Sequence, residues 1–251
     1  MAKERVEFFG SFIDPMTMDE TIEKIKDIIK IKKITQHVVV NVAKLVMMQS
    51  DIELRDAVNS CGIINADGAG IVFGSKLLGI KIPERVAGID LMERLMKTAA
   101  EAGYKIYFFG AEENIVKEVI RQVSFKYSRL KIAGYRNGYF KESDEQKIVE
   151  DIKKSGADIL FVGIPSPKKE KFLNRNLNKM NVPFVMGVGG SFDVIAGKTK
   201  RAPLWMQKIG LEWFYRFLQE PGRMWKRYLV TNTKYLFMLT KKLGESILFS
   251  K

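Results

Sequence analysis

Six short β-rich runs, each followed by a stretch of helical period, constrain this chain more than any other feature. They are Val38 to Val42, Ile63 to Ala66, Lys105 to Phe109, Lys131 to Ala133, Ile159 to Gly163 and Phe184 to Gly187. Such alternation predicts a parallel sheet with crossover helices. Ile106-Tyr107-Phe108-Phe109 and Ile159-Leu160-Phe161-Val162 are apolar throughout, as strands are when helices cover both sheet faces. The expected class is therefore α/β, a Rossmann-like, mostly parallel sheet with helices on both faces, and an antiparallel sandwich is disfavoured. One helix has legible limits, with Glu142-Ser143-Asp144-Glu145 as its start and Gly156 as its stop. After Gly197 the rhythm ends. A helical segment from Leu204 to Glu220, then Pro221-Gly222, then a second segment from Arg223 to about Leu243 make residues 198–251 a helical appendage on a core of residues 1–197.

Charge divides the chain in the same place. The formal net charge is +13, and in residues 196–251 twelve Lys and Arg face only Glu212, Glu220 and Glu245. All three Trp lie there, among many other aromatics. A basic aromatic segment suits nucleic acid, an anionic membrane surface or a diphosphate. No RNP, KH or helix-turn-helix pattern accompanies it, which argues against a nucleic-acid-binding module. The single Cys61 cannot form an internal disulfide. The N-terminus mixes both charge signs without the apolar stretch of a secretory signal, and no apolar run approaches the ~20 residues that cross a bilayer. The expected location is the cytoplasm, without a transmembrane helix.

In open α/β sheets ligands sit beyond the carboxyl ends of the strands, and four motifs fall there. In Asn65-Ala66-Asp67-Gly68-Ala69-Gly70 an apolar strand delivers a carboxylate and two glycines just before a helix. Gly68 and Gly70 would admit a ligand close to the backbone and Asp67 could act on it; the plainer role for Asp67 is to cap that helix. In Pro83-Glu84-Arg85, Arg85 could hold a diphosphate or simply pair with Glu84. Gly163-Ile164-Pro165-Ser166-Pro167-Lys168-Lys169-Glu170 puts lysines on a first helical turn, against the helix dipole, which hints at an anionic ligand for Lys168 and Lys169. Gly187, Gly189 and Gly190 form a loop able to wrap phosphate or ribose, followed by Ser191 and Asp193.

Absences narrow the chemistry. With one histidine and one cysteine there is no His/Cys metal cluster and no Cys-His nucleophile pair. No Asp-x-Asp occurs, so a leaving diphosphate would be stabilised by Arg, Lys and backbone N–H groups, and neither metal nor cofactor is expected. His37 is expected in a loop or at a strand edge. The glycine spacings match neither a Walker A loop nor a dinucleotide fingerprint. The run after Val38 to Asn41 lacks glycine, which weakens a reading as an NAD-dependent oxidoreductase.

These motifs, in this order and with this tail, resemble the WecG/TagA/CpsF family of bacterial glycosyltransferases. The resemblance covers nearly the whole chain and is most specific in Ala66 to Val72, Pro83 to Gly88, Gly187 to Pro203, and Gly210 to Arg216 with Glu220-Pro221. It implies an inverting, metal-independent transfer from a UDP-sugar, in the best known members UDP-N-acetylmannosamine, to a sugar on a polyprenyl diphosphate lipid, in cell-surface polysaccharide or teichoic acid synthesis. It further implies Asp67 as catalytic base, and Arg216, Arg223 and Arg227 from the appendage as the cations that complete the site. Peripheral association with the inner face of the cell membrane follows from such an acceptor, and a homo-oligomer is compatible with the sequence. Two positions depart from the family pattern. Its Thr-x-Asn stands here as Val39-Val40-Asn41, keeping Asn41 as a binding candidate, and its Pro-Lys-Gln-Glu as Pro167-Lys168-Lys169-Glu170. Both departures open the donor to UDP-glucose, a UDP-uronic acid or another UDP-HexNAc.

Overall fold

A computed structural model describes residues 4–249, apart from the side chains at 223, 227 and 246–249. The chain opens with the hairpin β1 (Val6–Phe8) and β2 (Ser11–Ile13), followed by α1 (Met18–Lys30), β3 (Thr35–Val40), α2 (Val42–Met48), α3 (Ile52–Asn59) and β4 (Ile63–Ala66). It continues through α4 (Ala69–Leu77), α5 (Gly88–Ala102), β5 (Lys105–Gly110), α6 (Glu113–Lys126), β6 (Lys131–Arg136), α7 (Glu145–Ser155), β7 (Ile159–Gly163), α8 (Lys168–Met180) and β8 (Phe184–Gly187). The last helices are α9 (Ser191–Ile195), α10 (Leu204–Lys208), α11 (Glu212–Gln219) and α12 (Pro221–Phe249).

Strands β3 to β8 form one six-stranded sheet in the order β4-β3-β8-β7-β5-β6, every pair parallel. Alternate side chains of these strands feed opposite faces. Ile106, Phe108, Ile159, Phe161, Phe184 and Met186 pack with α1, α5 and α6 on one face. On the other, Val38, Val40 and Ile64 meet α2 and α3, while Tyr107, Phe109, Leu160, Val162 and Val185 meet α7 and α8. Both faces are dry over β5, β7 and β8, which is why Ile106 to Phe109 and Ile159 to Val162 read as continuous apolar runs, whereas edge strand β6 is part-exposed.

Local chemistry explains where the elements deviate from expectation. The first sheet strand stops at Val40 rather than Val42, because the Asn41 side chain accepts the Lys44 N–H at 3.0 Å and starts α2. Gly156 ends α7 in the left-handed conformation, as the sequence suggests. The first appendage segment is two helices, broken at Gly210, whose φ of +79° suits glycine. The expected helix break is present but falls at Glu220, and Pro221-Gly222 belongs to the start of α12, where a missing N–H costs nothing. His37 lies on an interior strand, not in a loop or at a sheet edge. It is buried, and its Nε2–H donates to Asn65 Oδ1 at 2.9 Å, while Asn65 Nδ2 donates to Thr21 Oγ1. Burial pushes the imidazole down to about 4, against the hydrogen bond to Asn65.

The appendage returns to the core. Helix α12 lies along α2, and Tyr235 is buried among Phe8, Val38, Leu45 and Ile71. Its hydroxyl donates to the Gly70 carbonyl at 2.7 Å. Gly74 faces the same phenol, and a Cβ there would collide with it. Tyr235→Ala is expected to destabilise the whole protein by about 3–5 kcal/mol, and Tyr235→Phe by about 1 kcal/mol. Urea denaturation monitored by far-UV circular dichroism checks both values.

Candidate active site

The strand order brings the carboxyl ends of β4, β3, β8 and β7 together on one rim. β3 and β8 are neighbours there, so the chain that leaves β3 for α2 and the turn that follows β8 stand side by side on the rim. Asp67 follows β4, Asn41 follows β3, the Gly187 to Gly190 turn follows β8, and Lys168 and Lys169 start the helix after β7.

Asp67 is half-buried on this rim, and its N–H is fixed to the Val40 carbonyl at 2.8 Å. The backbone N–H groups of Gly88, the first residue of α5, and of Gly68 favour its ionised form. The capping role anticipated for the following helix α4 is not taken: no side chain caps α4. Burial pushes the Asp67 carboxyl up to about 6, Arg85 opposes that shift, and Glu212 adds to it. Gly68 holds φ +91°, which requires glycine, and open space lies where its side chain would be. Gly70 differs from the expectation of a ligand approach: its missing side chain makes room for Val42 and for Tyr235.

Arg85 ignores Glu84, whose carboxylate accepts the Met18 N–H, and pairs with Glu212 of α11 at 3.1 Å. Lys169 is buried against the glycine turn, and a side chain at Gly187 would collide with its aliphatic stem. Beneath it, Glu170 Oε1 lies 2.9 Å from Lys44 Nζ and 3.4 Å from Lys169 Nζ, and accepts the Ser166 hydroxyl. Lys44 also donates to the Val39 carbonyl. Burial pushes the Lys169 ammonium down to about 8 although Glu170 pulls it back. Burial would raise Glu170, but the two ammonium groups hold its carboxyl well below the usual carboxylate range. Two buried cations thus share one carboxylate, an excess of positive charge beneath the turn.

The other candidates separate. Arg216 lies over the turn, its Nη2 2.5 Å from where a Cβ of Gly190 would stand. Its Nε is buried without a hydrogen-bond partner, and no ion pair holds it among the described residues. Gly189 is near the Lys169 ammonium. Ser191 spends its hydroxyl proton on the Val188 carbonyl at 2.8 Å, and Asp193 stands 4.0 Å from Lys198. Asn41 caps α2. Lys168 sits over the Phe140 ring at 4.0 Å and lines a separate recess of about 420 Å³ with Glu145, Lys171 and Arg175. The side chains of Arg223 and Arg227 lie outside the described residues. Among the described residues no group of three His, Cys, Asp or Glu is placed to hold a metal ion.

Sequence reasoning missed Lys44, Glu170 and Glu212 as site residues. A lysine on a helical period reads as a solvated face, and only the fold brings Lys44 to Glu170. Glu212 did carry a signal, as one of three acids in a strongly basic tail.

The family model described as "Glycosyl transferase WecG/TagA/CpsF family" matches residues 6–246. The chain is 34% identical over 201 residues to the N-acetylglucosaminyldiphosphoundecaprenol N-acetyl-beta-D-mannosaminyltransferase of Bacillus subtilis, covering 80% of this chain and 77% of that one. It is 36% identical over 171 residues to the protein of the same name from Bacillus spizizenii, covering 68% of this chain and 65% of that one.

A carboxyl raised in the folded state binds more protons than in the unfolded chain between about 4 and 6, so its stabilising effect belongs to low pH and is lost as pH rises through 6. Asp67→Asn is therefore expected to be more stable than the parent at pH 8, by on the order of 1 kcal/mol. The difference disappears below about pH 4, and thermal melts across that range measure it.

Proposed function

We propose that this chain, which belongs to the glycosyl transferase WecG/TagA/CpsF family, transfers a sugar from a UDP-sugar to a saccharide carried on polyprenyl diphosphate, with inversion and without a metal. The observation that carries this reading is Asp67: a half-buried carboxyl raised to about 6, beside open space at Gly68 and across the rim from Arg216 at Gly190. The acceptor hydroxyl oxygen forms a bond to the anomeric carbon, the bond from that carbon to the UDP oxygen breaks, and the hydroxyl proton passes to Asp67. A base whose carboxyl sits near 6 is ionised at neutral pH yet more basic than an ordinary aspartate. The diphosphate leaves with its bonding pair. Lys169 and Arg216 are suited to take up that charge, as Arg223 and Arg227 are by resemblance. N-acetylmannosamine is the reference donor sugar, supported by the names of the Bacillus relatives. Lys169 in place of a neutral amide also favours a donor with further negative charge.

A lipid-borne acceptor requires a membrane surface, and the appendage is built for one. No helix among the described residues is long and apolar enough to cross a membrane. Yet Leu204, Trp205, Ile209, Trp213, Leu218 and Trp225 are exposed on α10 to α12, interleaved with Lys208 and Lys226. Exposed aromatics with cations suit the headgroup layer of an anionic bilayer, which supports peripheral association with the inner face of the cell membrane.

Asp67→Asn should lower turnover by roughly 10²-fold or more, and kcat/KM of the parent should fall as pH drops through about 6, where Asp67 takes up its proton. Release of UDP, followed with EDTA present throughout, measures both; complete loss of parent activity in EDTA, restored by Mn²⁺, would overturn the metal-free mechanism. Deleting the appendage is a poor probe, because it strips Tyr235 from the core, so point variants separate its roles. Arg216→Ala should cost roughly 10²-fold on a short-chain acceptor analogue while leaving vesicle binding intact. Trp205→Ser with Trp225→Ser should weaken sedimentation with phosphatidylglycerol vesicles and spare turnover on the analogue.

A further inference from the structure

Arg85 is near enough to Asp67 to act on its carboxyl, and a guanidinium free beside a half-buried carboxylate pairs with it. Here it does not: among the described residues no ion pair joins the two. Arg85 Nη1 is taken instead by Glu212 Oε2, at 3.1 Å, from the first turn of α11. The other oxygen of Glu212 lies 3.5 Å from Arg201 Nε, and Arg201 Nη1 reaches Asp90 Oδ1 at 2.6 Å on the first turn of α5. That is the helix whose leading N–H, at Gly88, favours the ionised Asp67 carboxyl. Four charges in series, Asp90, Arg201, Glu212 and Arg85, therefore run from the helix that holds the carboxylate, through the appendage, to the cation beside it.

The series is not built for stability alone. Arg201 leaves Nε and Nη2 buried without hydrogen-bond partners, an arrangement that costs free energy. We infer that Glu212 is a positioning residue for the base: by occupying the Arg85 guanidinium it keeps Asp67 unpaired, so that the docked appendage equips Asp67 to accept a proton. The inference rests on the reading of Asp67 as the base. Charged groups that bear on Asp67 are Arg85 from the segment before α5 and Glu212 from α11, with Asp90 and Arg201 behind them. Removing Glu212 acts twice in one direction. It takes away a negative charge that disfavours ionisation of Asp67, and it frees Arg85 to pair with Asp67, which favours ionisation and weakens the base.

The full-length protein tests this through the pH dependence of kcat/KM on a short-chain acceptor analogue. Glu212→Gln should move the acid limb from near pH 6 to about 5 or lower, and reduce turnover at pH 8 by roughly 3–10-fold. Adding Arg85→Gln to that variant should return the limb to about 6 or above, with a raised KM for the donor. Glu212→Asp keeps the charge, shortens its reach and should give an intermediate limb, which preserves the test if the glutamine variant does not fold. A limb that stays near 6 in both Glu212 variants overturns the inference, whatever the loss of turnover, and leaves Glu212 as an anchor of α11. Asp67→Asn measured alongside separates the two readings: inactive Asp67→Asn with an unmoved limb defeats the role of Glu212 alone, whereas an active Asp67→Asn defeats the base and the inference together.

Discussion

A parallel sheet buried on both faces, with only its edge strand β6 part-exposed, imposes one constraint from which the site follows. Polar chemistry has no place on the dry faces, and a parallel sheet points every strand's carboxyl end the same way. Asp67, Asn41, Lys169 and the Gly187 to Gly190 turn are widely separated in sequence but share a rim because β4, β3, β8 and β7 are neighbours. The same order explains why α2 and α8, which follow β3 and β7, bring Lys44 and Glu170 into contact.

Charge is buried on that rim against the interest of stability. Apolar side chains of similar volume would commonly serve as well in place of the Lys44, Glu170 and Lys169 cluster. Its net positive charge beneath a glycine turn makes sense beside an anion. The half-buried Asp67 is a second such concession, of opposite sign. Asp67 follows β4 and the cluster lies beside the turn after β8, with β3 between those strands, so carboxylate and cations are presented at separate places on one rim.

Much of the fold was legible because the strands are short apolar runs and the helices between them have clear periods. All six sheet strands were located, and α7 was bounded by Glu142 to Glu145 and Gly156. The hairpin of β1 and β2 was not seen, since strands of three residues carry no period. Neither was the return of α12 to the core, because its apolar residues serve two environments: Tyr235 and Leu239 face the protein while Leu236 and Phe237 face outward. At the site, motif residues that follow a strand end were readable, among them Asp67, Arg85 and Lys169. Their partners were not. Glu212 stands 127 positions from Arg85, and only tertiary structure could make it, rather than adjacent Glu84, the partner. Gly70 likewise reads as a ligand glycine until Val42 and Tyr235 are seen to fill the space before it.

Helix α11 is only eight residues long, Glu212–Gln219, about 12 Å from end to end. It carries Glu212 and Arg216 toward the rim and exposes Trp213 and Leu218. Site and outer surface are thus two sides of one short rod, with no hinge between them. Were that rod to lie in a headgroup layer, as proposed, the rim would stand one helix diameter, ~10 Å, above the bilayer, within reach of sugars near the lipid diphosphate and below the distal units of a grown chain.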